Sequence, residues 1–308
     1  MLQTILGSNG QIGEELVKEL NKKYSSDIRL VSRKPRKIRE SDTLFPADLM
    51  DAQDTEKAIE GSDIVYFCTG LPMDTKMWVD QWPVMVENTI NACKKFNAKL
   101  VYFDNTYMYP QTSEIQTEEI QFQPNGPKGK VRAETANRIL EEIENGSLTA
   151  VICRAPEFYG PGKTKSITNN TIIQNIKEGK KAKVFLRNDT LRTWIYTPDA
   201  SKAMALIGNT PSAYNQTWHL PCDDNRITFK EFIGIFGKYY NRNIKYTILK
   251  RWMLIAAGIF NPVIRDAAEL LPRYETDNKF DSSKFKNHFP DFQVTSYHEG
   301  VEKIIKER

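Results

Sequence analysis

The 308-residue chain predicts an α/β fold, a doubly wound parallel sheet with a smaller C-terminal α+β unit. Three observations predict it. The first half alternates short apolar runs with amphipathic stretches, the pattern of βαβ units whose sheet carries helices on both faces. A glycine-rich turn follows the first apolar run, beginning at residue 7. With 40% hydrophobic and 27% charged residues, the chain can bury a core large enough for one big domain or two closely joined ones.

The expected strands, in order, are "QTILG" from Gln3, "DIRLV" from Asp27, "DIVYFCTG" from Asp63, "KLVYFDN" from Lys99 and "LTAVICRA" from Leu148, with a further short strand before "FPADLMD". Between them helical periodicity covers Ile12 to Leu20, Asp54 to Ile59, Asp80 to Phe96 and Lys128 to Ile143. Beyond residue 156 the pattern loosens into a helix near Thr168 to Glu178, "KVFL", "TWIY", a helix from Pro198, "TWHL" and several more helices. The sheet unit is therefore expected over 1–155 with a returning segment at about 188–210, and the smaller unit over 156–187 and 211–308. The longest apolar run, "WMLIAAGIFNPVI" at Trp252 to Ile264, is too short to span a bilayer and is broken by Asn261 and Pro262. It predicts a buried or pocket-lining helix, and no membrane association is expected.

Charge excludes some classes. The net charge of +4 comes from 43 basic and 39 acidic residues, interspersed except for "RKPRKIR" at Arg33 to Arg39. A nucleic-acid surface needs a broader basic stripe. Cys68, Cys93, Cys153 and Cys222 stand far apart inside mostly apolar runs, so buried thiols are expected rather than a disulfide framework or a metal site. His219, His288 and His298 lack ligand spacing. No basic region followed by an apolar stretch opens the chain, which points to a cytoplasmic location.

The chemistry begins at "ILGSNGQIGEEL", where Gly7, Gly10 and Gly13 lie between a strand and an amphipathic helix. This is a spaced variant of the dinucleotide fingerprint: glycines permit the tight turn and close backbone approach, and the helix N-terminus faces the pyrophosphate. Gly7, Ser8, Asn9, Gly10, Gln11, Ile12 and Gly13 are the candidate loop, with Thr69 and Gly70 at the end of the fourth strand beside it. An acidic residue at the end of the second strand would bind a ribose diol; here stand Ser32 and Arg33. A hydroxyl and a guanidinium suit a 2′-phosphate, so NADP is favoured over NAD, the alternative being a solvated basic turn. Asp48 is a candidate for the adenine amino group.

These features, with "RAPEFYGPG" (Arg154 to Gly162), "RTWIYTPDASKA" (Arg192 to Ala203) and "FDSSKF" (Phe280 to Phe285), resemble the extended short-chain dehydrogenase/reductase family of the NAD-dependent epimerase/dehydratase type, over nearly the whole chain. The resemblance implies a Rossmann domain, a C-terminal substrate domain and a catalytic Ser/Thr, Tyr and Lys. Tyr and Lys stand four residues apart on one helix face; the lysine holds the nicotinamide ribose and lowers the phenol's pKa, so that the tyrosine exchanges a proton with the substrate oxygen. In "PNGPKGKVRAE" the family's lysine-to-glutamate spacing matches Lys130 and Glu134, which leaves Gly126 at the tyrosine position; Lys128 is an alternative match that leaves Pro124 there. The Ser/Thr counterpart is Asn105. Tyr107 then matches a residue that carries an acid group in dehydratase members, so Tyr107 is the candidate acid, with the Asn105 amide on the substrate carbonyl.

Arg192 matches an arginine that contacts the substrate diphosphate in sugar-nucleotide members, which implies an anionic small-molecule substrate; an ion pair with Asp199 or Glu157 is the structural alternative. Glu157 replaces an asparagine common in the family, and Trp78, with Trp82 and Met73, stands where a loop could cover the nicotinamide. The resemblance also implies a homodimer through the helices at Asp80 to Phe96 and Lys128 to Ile143. Two readings follow: an NADP-dependent oxidoreductase or isomerase acting on a small carbonyl or sugar-nucleotide-like substrate, or a nucleotide-binding sensor without turnover.

Overall fold

A computed structural model describes residues 1–25 and 27–307. Seven parallel strands form the central sheet: β1 (Gln3–Leu6), β2 (Ile28–Ser32), β3 (Thr43–Pro46), β4 (Ile64–Phe67), β5 (Lys99–Asp104), then Ala150–Arg154 and Gln216–His219. From the β3 edge the order is β3, β2, β1, β4, β5, Ala150–Arg154, Gln216–His219. The chain winds outward from β1 to β3 and then returns to lay β4 on the other side of β1. The order therefore reverses between β1 and β4, and the carboxyl ends of these two strands are where open sheets of this kind receive a ligand.

Four helices follow the strands: α1 (Gln11–Lys23), α2 (Ala52–Ile59), α3 (Thr75–Phe96) and α4 (Pro127–Glu144). Alternate strand residues feed two cores. Ile5, Tyr66 and Val101 join the layer that contains α1 and the helix Thr197–Gly208, while Leu6, Val65, Phe67 and Tyr102 join the layer of α3 and α4. Burial on both faces explains why these strands are apolar without alternation. α1 buries Ile12, Leu16, Val17 and Leu20, a stripe at helical spacing, against Thr197–Gly208, and the Ser201 hydroxyl donates to the Ile12 carbonyl at 3.0 Å. Asn97, at φ 53°, closes α3 in the left-handed conformation that asparagine tolerates.

A third core gathers Trp194, Phe229, Phe232, Tyr274 and Tyr297 from the later chain. Two expectations change here. "TWHL" is expected in the second unit, yet Gln216–His219 is the seventh sheet strand, paired with Ala150–Arg154; four residues are too few to show which sheet they join. The run expected to be buried forms the helix Arg251–Phe260, in which only Leu254 and Gly258 are buried. Trp252, Ile255, Ile259 and Phe260 are exposed, Phe260 at 89%. A helix apolar on every side carries no phase in its sequence to mark the buried face. No helix among the described residues is long and apolar enough to cross a membrane.

Candidate active site

The glycine loop sits where the strand order reverses. Gly7 has φ +83°, and a Cβ there would lie 2.7 Å from the Thr69 Cα, so glycine lets the β1 turn pass against the β4 turn. A Cβ on Gly13 would lie 2.8 Å from the Gly7 carbonyl and 2.9 Å from the Ser8 Cα, so this glycine lets α1 start against the loop. Gly10 is the N-cap of α1 and offers no side chain to the first-turn N–H groups. Those donors and the helix dipole suit a pyrophosphate. The Thr69 hydroxyl is buried without a hydrogen-bond partner, and Gly70 faces open space. An orphaned donor beside uncapped N–H groups fits a dinucleotide crossing from β1 to β4.

On the β2 side, Asn9 ties the loop to that strand: its amide donates to the Lys34 carbonyl at 2.7 Å and to the Ser32 hydroxyl at 3.2 Å. Ser32 thus accepts with its oxygen and keeps its proton free for an outward acceptor. Arg33 is exposed, and no ion pair holds it among the described residues. Asp48 is exposed just beyond β3, accepting from the Met50 N–H at 3.1 Å. Gln11 and Glu14 reach the loop after Gly162, through the Lys165 N–H and the Lys163 ammonium. Ser8 and Ile12 are buried.

At the other end lie β5 and α4. The Asn105 amide oxygen accepts from the Tyr107 N–H at 2.9 Å, which leaves its NH2 group for a ligand. Tyr107 is half-buried, its ring 6.1 Å from that of Trp78 and 6.0 Å from the Arg273 guanidinium. Burial raises its pKa, with Arg273 and Arg132 acting in the opposite direction. Thr106, Tyr107, Arg273 and Asn278 line a small cavity here. Gly129 brings α4 close: a Cβ there would meet the Tyr107 carbonyl at 2.7 Å.

Lys130, expected to face the cofactor, is exposed. The residue two positions earlier, Lys128, is fully buried, and its ammonium donates to the Thr75 hydroxyl at 2.8 Å and the Asp266 carbonyl at 2.6 Å, with Glu269 Oε1 at 3.0 Å. Two residues on a helix differ by about 200°, so only one of these lysines can point inward. Gly126, expected at the tyrosine position, is the N-cap at φ +95°, and a Cβ there would run into the Glu269 side chain.

Under this site runs a buried polar chain. Asp104 at the end of β5 accepts from Arg132 at 3.1 Å and from Arg154 at 3.2 Å. Arg154 donates to the Tyr109 hydroxyl at 2.7 Å, which lies 2.6 Å from His219 Nε2, and His219 Nδ1 lies 2.6 Å from the Asp281 carbonyl. A carbonyl can only accept, so Nδ1 carries the proton, Nε2 accepts from Tyr109, and the ring is neutral. Burial, then the Arg154 charge, hold the His219 pKa well below its usual value. Asp104, Arg132, Glu269 and Arg273 were missed in the sequence; Pro127, as the first residue of α4, was the signal that could have set the helix phase.

The expected substrate residues are more enclosed than their positions suggested. Arg192 is fully buried beneath Tyr274, donates to the Arg273 carbonyl at 2.5 Å, and leaves Nε and Nη2 without partners. Burial lowers its pKa to about 10. Glu157 Oε2 lies 4.0 Å from Arg192 and accepts from the Tyr274 hydroxyl at 3.0 Å, while Oε1 accepts from the Thr168 N–H and hydroxyl. Those bonds make Glu157 an internal brace. Asp199 binds Thr295 and Lys202 instead of Arg192. Trp78 is buried, stacked on Trp82 at 4.9 Å, and donates to the Pro72 carbonyl at 2.8 Å. All four cysteines are buried and unpaired.

Comparison with known proteins agrees with this architecture. Among solved structures, the chain superposes on the UDP-glucose 4-epimerase of Thermus thermophilus, in complex with NAD, with a TM-score of 0.77 and 15% identity, covering 99% of each chain. It superposes on the UDP-glucuronic acid 4-epimerase of Bacillus cereus, in complex with NAD, with a TM-score of 0.78 and 17% identity, again covering 99% of each. At these identities the likeness is one of fold. A curated relative, 3beta-hydroxysteroid-dehydrogenase/decarboxylase isoform 3 of Arabidopsis thaliana, is 24% identical over 224 residues, 65% of this chain. The aligned stretch spans only 39% of that relative's length. The model of the NAD dependent epimerase/dehydratase family matches residues 4–219, from within β1 to the last residue of the seventh sheet strand. The chain belongs to the NAD dependent epimerase/dehydratase family.

Proposed function

We propose that the protein is an NADP-dependent oxidoreductase or isomerase that acts on a small, anionic carbonyl or sugar-nucleotide-like substrate, with Tyr107 as its acid. The observation that supports this reading is a half-buried phenol and an amide NH2 without a recorded partner, Tyr107 and Asn105, just past the carboxyl end of β5, two strands from the β1 strand that leads into the glycine loop. A bound nicotinamide dinucleotide supplies or accepts a hydride. The backbone N–H groups that start α1 hold the pyrophosphate, and Ser32 with Arg33 hold the 2′-phosphate. The Asn105 NH2 donates to the substrate oxygen, fixing and polarising it. The Tyr107 hydroxyl gives that oxygen a proton; burial keeps the phenol protonated until then, and the Arg273 guanidinium above the ring favours its ionised form afterwards. The unpartnered N–H groups of Arg192 and the nearby Arg273 suit an anionic substrate, in keeping with the sugar nucleotides bound by structural relatives. A homodimer through α3 and α4 goes with this reading.

A sensor without turnover is the second reading, favoured by one observation: the Glu269 side chain packs against the start of α4, beside Gly126 and 3.0 Å from the buried Lys128 ammonium, and no phenol stands on that face of the helix. Incubating the purified protein with NADPH and a panel of carbonyl compounds and sugar nucleotides separates the two. The enzyme reading expects NADPH oxidation or epimerisation that Tyr107→Phe reduces at least tenfold, within the usual contribution of a general acid. Full turnover in Tyr107→Phe would remove Tyr107 from its role, and nucleotide binding without turnover of any compound would favour the sensor.

A further inference from the structure

The phase of α4 decides which of its cations can meet a cofactor. At about 100° per residue, residues four apart lie within about 40° of one another on the helix surface. Lys128 and Arg132 stand four apart and are both buried, at 0% and 5% exposure, while Lys130 between them is exposed. The family resemblance implies two residues at that spacing on one helix face, one holding the nicotinamide ribose and one meeting the substrate oxygen. Matching by the lysine-to-glutamate spacing chose Lys130 and placed the missing phenol at Gly126. Pro127 opens the helix, Gly126 is only its cap, and its positive φ and the Glu269 side chain leave no room there for a phenol.

Resting on the nucleotide-binding reading above, we infer that Arg132 holds the nicotinamide ribose and that Lys128, four residues before it, takes the tyrosine's place with an ammonium that faces the substrate oxygen. Arg132 is braced for this. Its guanidinium lies 3.7 Å from the Trp82 ring centroid and 4.7 Å from that of Trp78, and Nη1 donates to Asp104 and to the Tyr102 hydroxyl. Its Nε is buried without a partner, so the planar fork keeps a spare donor. Trp78, in the first turn of α3, lies on one side of this fork, and the fork is tied to Asp104, the last residue of β5 and the neighbour in sequence of Asn105.

Lys128 is held differently. Two of its three partners, the Asp266 carbonyl and the Glu269 carboxyl, come from one stretch of the later chain, and the third is the Thr75 hydroxyl. A substrate oxygen gains the ammonium when residues 266–269 give way, so the carboxyl of Glu269 occupies a position that an anionic or developing oxyanion group would take. The assignment leaves Tyr107 as the acid and makes Lys128 a fixed positive charge. It also gives a use to the buried Lys128 ammonium, which a ribose-binding role for Lys130 leaves without one.

Calorimetric titration with two ligands tests the assignment: NADPH, and adenosine 2′,5′-bisphosphate, which carries only the adenosine end. Arg132→Ala should weaken NADPH by roughly tenfold or more, the size of a lost charge-assisted hydrogen bond, and leave the bisphosphate unchanged. Arg132→Lys should keep most of the NADPH affinity, and Lys130→Ala all of it. Lys128→Met should bind NADPH within about twofold of wild type, a change too small to count as a lost contact, and abolish turnover of any substrate found with wild type. A selective loss of NADPH in Lys130→Ala, or equal losses of both ligands in Arg132→Lys, would overturn the assignment, the second showing that Arg132 only props the fold. Wild type that binds neither ligand would overturn the nucleotide reading itself.

Discussion

Replacing Arg33 by alanine should change the choice of cofactor and little else. In the structure Arg33 is exposed and no ion pair engages it among the described residues, so its removal disturbs no folded contact. Ser32 beside it is fixed by Asn9 at 3.2 Å with its proton free, and Lys34 and Arg36 are exposed close by. A hydrogen bond to a charged group contributes about 1.5 to 3 kcal/mol. Because Arg33 stands in solvent, screening places it at the low end, about 1.5 kcal/mol, which is roughly tenfold in affinity. NADPH should therefore bind Arg33→Ala about tenfold more weakly, while NADH, which lacks the phosphate, is unaffected. Raising the salt concentration should erode the wild-type preference in the same direction, since the contact is electrostatic and exposed. Calorimetric titration of both cofactors against both proteins is the assay. Equal losses for NADH and NADPH, or a wild-type protein that prefers NADH, would refute the reading of Ser32 and Arg33 as a 2′-phosphate site.

Two further outcomes concern the framework of the site. Gly129→Ala forces a methyl group to within 2.7 Å of the Tyr107 carbonyl, a backbone atom, so stability should fall by about 1 to 3 kcal/mol; an unchanged urea midpoint would show that α4 can slide without consequence. His219 is held neutral in the folded protein, its pKa depressed by burial and then by Arg154, whereas the unfolded chain takes up its proton near pH 6.5. The stability it contributes is thus complete above that pH and is lost as the pH falls, by up to about 1.4 kcal/mol per unit. Urea unfolding at pH 7.5 and 5.5 should differ accordingly, and His219→Gln should remove that share of the difference; an identical pH dependence in the variant would dissociate it from His219.

Much of the sheet was legible because its physics is local. Runs such as "DIVYFCTG" and "KLVYFDN" are apolar without alternation through their middles, Ile64 to Cys68 and Leu100 to Phe103, because both faces are covered, and the helices between them carry one apolar stripe each. The glycine loop was equally legible: Gly7 needs a positive φ and contact with Thr69, a demand that shows directly as glycine in the sequence. Reading failed where local pattern is mute. Gln216–His219 joins the sheet by pairing with residues more than sixty positions earlier, and the helix Arg251–Phe260 is apolar all round, so nothing in its order of residues said that Phe260 would face water.

The same limit explains why the spacing match at Lys130 gave no sign of the buried Lys128. Spacing to a downstream glutamate fixes a position along a helix but leaves its rotation open, and a shift of two residues turns a side chain from the buried face to the solvent. Rotation is set by what the helix must bury. Here Val131, Ala136 and Ile139 pack into the layer shared with Trp82 and Val86, and Gly129 has to lie against the Tyr107 carbonyl. Once those contacts are satisfied, Lys128 and Arg132 are carried inward together. Their charges are then met by acceptors distant in sequence, Asp104 from β5 and Asp266 and Glu269 from the later chain. A buried cation without such partners would be costly, so the inward turn of Lys128 and the docking of residues 266–269 depend on each other. No reading confined to "PNGPKGKVRAE" could have found that dependence, because half of it lies some 140 residues away.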